Sequence, residues 1–192
     1  MSEHTNGAHT EPKNVAIKGS FPKSFFIIII LVIGAMLYYS SITRPENAIL
    51  NYFSSLTNQD YHTTAESLSV FVMAMQLNQY ASPGVTGKEL LEQRAEIVEA
   101  YSAHIADNSF DTYTYLVEPN NSHTKIGLVS AIVIFDLTYE EKNPTCIAYL
   151  IKEANRFRII DIAEINFDTA FREELERFNI DELDKEFASY FE

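Results

Sequence analysis

Cysteine is almost absent from this sequence, since Cys146 is the single cysteine among 192 residues. One cysteine excludes an intramolecular disulfide and any metal cluster built from several thiolates of one chain. The surrounding string TCIAYLI is apolar and strand-like, which indicates a buried small side chain rather than a reactive thiol. Tryptophan is missing altogether, so Phe and Tyr must supply the aromatic part of any core.

Glycine is also scarce, with six in the chain. Phosphate-cradling loops depend on closely spaced glycines, and neither the P-loop nor the Rossmann glycine pattern occurs. The zinc-protease pattern HExxH and the nucleophile pattern GxSxG are missing as well. We therefore expect no cofactor, no metal and no enzyme of these classes.

Basic residues are few, with 14 Lys and Arg against 27 Asp and Glu. The imbalance lies in residues 43–192, which carry 11 basic and 25 acidic side chains and hence a net charge of −14. Nucleic acids and anionic lipid surfaces bind basic faces through their phosphates. The composition therefore predicts that this part of the chain is repelled by nucleic acids and by anionic lipid head groups, and it predicts no nucleic-acid partner.

The string KSFFIIIILVIGAMLYYSSITR, at residues 23–44, is a long apolar run. Its uncharged part, residues 25–42, would make a helix about 27 Å long at about 1.5 Å per residue, close to the thickness of a bilayer core. A helix of a soluble core would show a polar face at helical spacing, and this run has none. The run predicts an anchor in the membrane bilayer. A signal peptide is the alternative, although no Ala-x-Ala-like cleavage site follows.

The charges beside this run predict its orientation. Lys18 and Lys23 precede it, whereas Arg44 follows it and is offset by Glu46. The side of a span that is richer in Lys and Arg usually faces the cytoplasm. We therefore expect a single-pass protein of the cell (inner) membrane with a cytoplasmic N-terminus and a periplasmic or extracellular C-terminal domain. Residues 1–22 would be a disordered cytoplasmic tail, and residues 23–43 the transmembrane helix.

Helical spacing of apolar residues predicts three helices after the run, within residues 46–61, 63–80 and 87–107. From Phe110 onward the spacing alternates and β-branched and aromatic residues dominate. Four strands are predicted, DTYTYLVE, KIGLVSAIVIFDLTYE, TCIAYLIKE and RFRIIDIAEI, with a tight hairpin at residues 153–155. The expected fold class is α+β, with a curved four-stranded antiparallel sheet around the long helix.

Residues 167–192 return to helical spacing and predict an acidic amphipathic helical tail, with a break and a new N-cap at residues 179–181. Two alternatives stay open for this tail: it packs on the domain's own sheet, or it binds a partner protein. The residues that would bind a partner share two apolar faces, one with Phe171, Leu175 and Phe178, and the other with Leu183, Phe187 and Tyr190.

Two strings resemble the nuclear transport factor 2-like superfamily, whose members share a cone-shaped α+β fold. They are AILNYFSSLTNQDYHTTAESLS in the first helices and the hairpin YLIKEANRFRIIDI, where Phe157 stands at the family's tryptophan position. The resemblance covers residues 46–165 and implies a cone-shaped domain at residues 46–166. Membrane-anchored members include the bitopic inner-membrane subunit of type IV secretion systems. The resemblance therefore implies a role as a scaffold or assembly component that binds other envelope proteins. The chain could also form a homo-oligomer in such a complex.

The cone fold also hosts isomerase-like and cyclase-like enzymes, which need an acid or base inside an apolar cavity. His104 on the third helix and Asp136 and Tyr139 on the long strand are the candidates for such catalysis. A cavity walled by Asp136 and His104 would favour small-molecule binding or isomerase chemistry, whereas a cone filled by Phe, Tyr and Met would oppose it. With thirteen Phe and eleven Tyr, we expect the filled cone and a non-enzymatic domain for protein–protein interaction.

Overall fold

The structure, a computed structural model, describes residues 23–82, 84–108 and 113–191. The tail predicted at residues 1–22 lies outside these residues. The chain divides into two compact units, Met1–Leu37 and Tyr38–Glu192.

The first unit contains most of helix α1, Lys23–Ile42. Its large apolar side chains from Ile27 to Met36 are all exposed. By length and apolar content taken together, no helix in the part of the chain that the structure describes qualifies as a membrane span. The anchor at residues 25–42 stays a prediction from the sequence.

Five helices precede the sheet in the described part of the second unit: α2 Pro45–Thr57, α3 Tyr61–Ser67, α4 Val70–Gln76, α5 Gly87–Glu92 and α6 Arg94–Asn108. Pro45 starts α2, where its missing N–H leaves no hydrogen bond unmade. Asp60 caps α3 by accepting a hydrogen bond from the Thr63 amide at 3.1 Å. Thr86 and Glu89 form a capping box at the start of α5.

Two of the three predicted helices are interrupted. The pattern at residues 63–80 divides at Leu68 and Ser69, where the Ser69 amide donates to the Ile159 carbonyl at 2.8 Å and Leu68 bridges the same strand residue. The pattern at residues 87–107 divides at Gln93, the C-terminal cap of α5. Contact with Ile159, a strand residue distant in sequence, therefore interrupts the helix predicted at residues 63–80. The local spacing of apolar residues cannot predict such a contact.

The sheet is antiparallel and has five strands within the described residues: β1 Leu116–Pro119, β2 Lys125–Ile126, β3 Ser130–Thr138, β4 Thr145–Glu153 and β5 Arg156–Ile165. Its order is β1-β3-β4-β5. The two-residue β2 pairs with the same edge of β3 as β1 does, but nearer the start of β3. The predicted hairpin is confirmed: Ala154 and Asn155 join β4 to β5 with φ of 47° and 65°, as a two-residue turn with both central residues left-handed requires. The α+β class with an antiparallel sheet is thus confirmed.

Both faces of the sheet are covered. On one face Phe135 of β3 meets Phe53 of α2, with ring centroids 5.8 Å apart. On the other face Ile132 and Tyr149 line a small hollow of about 100 Å³ together with Phe171 and other side chains of the tail. Because residues 130–135 of β3 are all buried, this strand reads as a continuous apolar run rather than an alternating one.

The tail forms helices α7, Thr169–Arg177, and α8, Ile180–Ala188, followed by a 3₁₀ turn at Ser189–Phe191. Asn179 caps α8 by accepting a hydrogen bond from the Asp181 amide at 3.1 Å, at the break that the sequence predicts. The carboxylate of Asp184 in α8 binds the turn before β3. The tail therefore belongs to the same compact unit as the sheet.

Candidate functional site

The three residues considered for catalysis lie in separate surroundings. His104 is exposed on α6, and its ring lies 5.7 Å from that of Tyr101. Asp136 is exposed on β3 and accepts a hydrogen bond from the Thr145 hydroxyl at 2.6 Å. Tyr139 is half-buried and packs against Tyr115, with ring centroids 5.9 Å apart. Among the described residues, no hydrogen bond, ion pair or ring contact joins any two of the three.

Aromatic and sulfur-containing side chains fill the interior between the helices and the sheet. The buried ones in the described residues are Phe53, Phe71, Met73, Tyr101, Phe135, Cys146, Phe157 and Phe187. Burial raises the pKa of the Cys146 thiol to about 11, an effect that the nearby carboxylates of Glu164 and Asp136 increase. The thiol therefore stays protonated at neutral pH and acts as a small apolar group, as the sequence predicts.

The tail residues considered for partner binding divide into two groups. Leu175, Leu183 and Phe187 are buried in the core of the domain. The other three, Phe171, Phe178 and Tyr190, are partly exposed and pack against the same core. A partner that binds the folded domain could reach these three side chains without displacing the tail.

Three arginines surround a cleft of about 360 Å³ between helices α2 and α3 and the start of β5. We call it the arginine cleft, defined by Arg44, Arg156 and Arg158. Arg156 and Arg158 flank Phe157, which is buried, so the alternation of strand β5 turns both guanidinium groups away from the core. Arg44 reaches the cleft from the residue before α2.

The other residues that line the arginine cleft are polar and uncharged for the most part. Asn47 and Asn51 lie one turn apart on α2, and Thr63 lies on α3. Glu66 is the single carboxylate among the residues that line it, and its side chain is exposed. The lining therefore offers amide and hydroxyl groups, which both donate and accept hydrogen bonds.

Arg158 is the most buried cation of the arginine cleft. Its Nη1 donates to the Glu66 carbonyl at the C-terminal end of α3, whereas its Nε is buried and has no hydrogen-bond acceptor. Burial lowers its pKa to about 10, and the positive charge of Arg94 adds to the effect. Nearby Glu153 and Glu66 oppose this decrease but do not cancel it. The guanidinium of Arg158 thus remains charged at neutral pH, and the nearby carboxylates do not fully balance its charge.

A buried polar network adjoins the arginine cleft at Glu66, whose carbonyl accepts from both Arg94 and Arg158. We call it the Glu153 network: the carboxylate of Glu153 accepts hydrogen bonds from the Ser69 hydroxyl at 2.6 Å, the Val70 amide at 3.1 Å and Nη1 of Arg94. Nη2 of Arg94 also donates to the carbonyls of Glu66 and Leu68 at 3.0 and 3.1 Å. These carbonyls end α3, where a cation is favourable.

Burial dominates the electrostatics of Glu153, whose side chain is 1% exposed. Burial raises the pKa of this carboxyl, and Arg94, Ser69 and the Val70 amide compensate in part. The network joins α3, α4 and α6 to the end of β4, directly before the hairpin that carries Arg156. It therefore fixes the end of β4 against these helices, with the carboxylate of Glu153 closed to solvent.

The chemistry available at the arginine cleft is the binding of anionic oxygens. Guanidinium groups do not lose their proton at neutral pH, so they do not serve as general bases. Among the described residues, no group of three or more His, Cys, Asp or Glu side chains is placed to hold a metal ion. The cleft is thus a candidate for binding rather than for proton transfer.

Sequence reasoning missed the arginine cleft and the Glu153 network. The string RFR at the start of the last strand is a local signal, since alternate arginines around a buried Phe must share one face. Nothing local predicts that Arg44, more than a hundred residues earlier, lies on the same cleft. Comparison with known proteins adds no assignment: no family model, no curated protein and no solved structure matches the chain.

Proposed function

We propose that this chain is a non-enzymatic, single-pass membrane protein whose α+β domain binds other proteins outside the cytoplasm, as a scaffold or assembly component of an envelope complex. We further take the domain to be a cone of the nuclear transport factor 2-like type. The observation that carries the proposal is the filled interior. Enzymes of that fold work inside the cone, and here Phe53, Phe135 and Met73 occupy the space.

The separation of the candidate catalytic groups supports the same conclusion. His104 and Asp136 are both exposed, so neither lies in the apolar surroundings that would tune a general acid or base. The outer surface is then the part of the domain that is available for function.

One part of that surface suits a protein partner. We call it the apolar edge: Leu50 lines one shallow hollow with Ile126 and another with Leu116. Leu116 and Ile126 are 57% and 56% exposed, and they lie on β1 and β2, along the edge of the sheet. Exposed apolar side chains on a strand edge are a common feature of protein-binding surfaces.

The membrane assignment is supported by the sequence of residues 25–42 and by the lysines that precede them. Protease accessibility in intact cells or spheroplasts tests it: the C-terminal domain should be cleaved only when the outer face of the membrane is reached. A domain protected in the cytoplasm, or a mature chain that begins after Tyr39, would contradict the proposal.

Partner binding is tested by photo-crosslinking from the full chain in its membrane. A crosslinking amino acid at Leu116 or Ile126 should capture the same envelope protein. The matched control places it at Lys88, which is exposed on α5. Capture from Lys88 alone, or from no position, would contradict a role for the apolar edge.

A further inference from the structure

Basic side chains are concentrated in the arginine cleft of an otherwise acidic domain. Residues 43–192 carry a net charge of −14, yet three of their six arginines line one cleft of about 360 Å³. Like charges placed together raise the free energy of the folded state unless something compensates them. A bound anion would supply that compensation.

The protein itself supplies little negative charge to compensate the three arginines. Within the described residues, neither Arg44 nor Arg156 lies within ion-pair distance of a carboxylate. Arg158 donates to a backbone carbonyl through Nη1 and leaves its buried Nε without an acceptor. A buried donor without an acceptor is uncommon in folded proteins, and it means that the protein compensates the charge of Arg158 only in part.

The number of guanidinium groups distinguishes between the two common biological oxyanions. One guanidinium fork satisfies a planar carboxylate through two parallel hydrogen bonds. Three arginines line the arginine cleft, and a phosphate group has more accepting oxygens and more negative charge than a carboxylate to match them. The arginine cleft therefore suits phosphate better than carboxylate.

The remaining lining suggests what carries the phosphate. The cleft has the size of a site for a small organic molecule, which commonly measures about 300–1,000 Å³, and is larger than a phosphate ion needs. Asn47, Asn51 and Thr63 line the same cleft, and amide and hydroxyl groups bind the hydroxyl groups of a ligand. A small hydroxylated carrier such as glycerol fits this lining.

We propose that the arginine cleft binds a phosphate group carried on a small hydroxylated body, as in a phospholipid head group or a soluble phosphate ester. The two sources present the same chemistry. The lipid source rests on the proposed membrane anchor, because Arg44 follows the predicted span at residues 25–42 by two residues and would then lie at head-group level. The soluble source does not depend on the anchor.

The first experiment measures binding of glycerol 3-phosphate to the full chain, purified in a neutral detergent, by titration calorimetry. Succinate serves as the dicarboxylate comparison. Binding of one glycerol 3-phosphate per chain, with succinate at least about ten-fold weaker, is the expected result for a soluble ester. Equal binding of succinate would overturn the assignment to phosphate.

The variants locate the site. Arg44→Gln and Arg156→Gln each remove one exposed guanidinium and should weaken binding about ten-fold or more, the usual effect of losing a hydrogen bond between charged groups. Arg177→Gln is the control, since it changes the net charge equally at an exposed position on α7. A similar loss in Arg177→Gln, or full binding in both cleft variants, would overturn the proposal.

A second experiment tests the lipid source with the full chain in nanodiscs. Phosphatidylglycerol in place of phosphatidylcholine should raise the melting temperature of the wild type, and the double variant Arg44→Gln/Arg156→Gln should abolish that increase. Failure of both the calorimetric and the nanodisc measurements rejects the phosphate site. The calorimetric result does not depend on membrane topology. Finding the domain in the cytoplasm would therefore contradict the proposed function but leave the phosphate site untouched.

Discussion

Two carboxylates that lie far apart in the fold perform the same task by different means. Glu153, at the end of β4, ties helices α3, α4 and α6 to the sheet through the Glu153 network. Asp184, in α8, ties the tail to the turn before β3. Each residue is buried as a whole, with 2% of Glu153 and 9% of Asp184 exposed.

The partners of the two carboxylates differ. Glu153 is neutralised by the cation Arg94, together with two neutral donors. Asp184 has no cation beside it in the described residues and accepts from backbone amides instead: Leu128 at 2.6 Å, Val129 at 3.1 Å and Ser130 at 2.8 Å, with the Ser130 hydroxyl at 2.6 Å. We call this second arrangement the Asp184 latch.

The pKa values of the two groups move in opposite directions. Burial raises the pKa of Glu153, and its ion pair and hydrogen bonds do not fully offset the effect. Burial also acts to raise the pKa of Asp184, but the hydrogen bonds from Ser130, Leu128 and Val129 outweigh it and hold the pKa below the usual value. Four neutral donors thus compensate the carboxylate of Asp184 more fully than one cation and two neutral donors compensate Glu153 at a deeper site.

The largest expected effect comes from breaking the Glu153 network. Glu153→Gln replaces one accepting oxygen by an N–H₂ group that faces donors only: the Ser69 hydroxyl, the Val70 amide and Nη1 of Arg94. Leaving a buried donor without its acceptor costs about 1–3 kcal/mol, and more where the donor is charged. We expect the free energy of unfolding, measured by denaturant titration, to fall by about 3 kcal/mol.

The surface pair of Glu173 and Arg177 provides the control for this prediction. Both side chains are exposed and lie one turn apart on α7. Glu173→Gln should change the free energy of unfolding by about 0.5 kcal/mol or less, as exposed pairs do. Equal losses in Glu153→Gln and Glu173→Gln would show that burial does not determine the strength of the first pair.

Asp184→Asn should have the next largest effect. The amide presents an N–H₂ group to a site that contains donors only, so at least one hydrogen bond to a charged acceptor is lost. We expect the free energy of unfolding to fall by about 2 kcal/mol, and hydrogen exchange of the Leu128 and Ser130 amides to become faster. Glu186→Gln, an exposed position on the same helix, should stay within about 0.5 kcal/mol of wild type.

Gly127→Ala tests the same latch from the other side. A Cβ atom at this position would overlap the carboxylate of Asp184, and relieving such overlap commonly costs about 1–3 kcal/mol. We expect a loss of about 1–2 kcal/mol in the free energy of unfolding. In an Asp184→Ala background the same change should cost much less, since the overlapping atoms are gone. Additive losses in a double-mutant cycle would contradict this contact.

The sequence predicts the parts of this fold that depend on local chemistry. The change from helical to alternating spacing near residue 110, the hairpin at Ala154 and Asn155, and the N-cap at Asn179 all follow from signals a few residues long. The interruption of the predicted helix at Leu68 and Ser69 does not, because Ser69 is held by Glu153, 84 residues away.

The candidate site illustrates the same limit. The acid at position 184 looks like one of many on the polar face of an acidic tail, and only its contact with the turn at residues 128–130 distinguishes it. The arginine cleft likewise needs Arg44 and Arg156 to line the same cleft, which depends on how α2 lies against β5. Long-range packing of this kind leaves no periodic trace in the sequence.

The smallest effect, and the one that tests the comparison most directly, is the pH dependence of the two carboxylates. The lowered pKa of Asp184 means that its stabilising contribution is present above the pKa of the unfolded chain and is lost as the pH falls through the folded value. The difference in unfolding free energy between wild type and Asp184→Asn should therefore shrink as the solution is acidified below about pH 4.

Glu153 should behave in the opposite way. The pKa of Glu153 is raised in the folded state, so the folded protein binds a proton at a higher pH than the unfolded chain does. The pH window of interest lies between the folded pKa and the lower pKa of the unfolded chain. The stability of wild type relative to Glu153→Gln should therefore increase over that window, as the buried carboxylate loses its charge. Denaturant titrations of both variants at several pH values measure the two slopes, and slopes of the same sign would show that Arg94 compensates Glu153 as fully as the amides compensate Asp184.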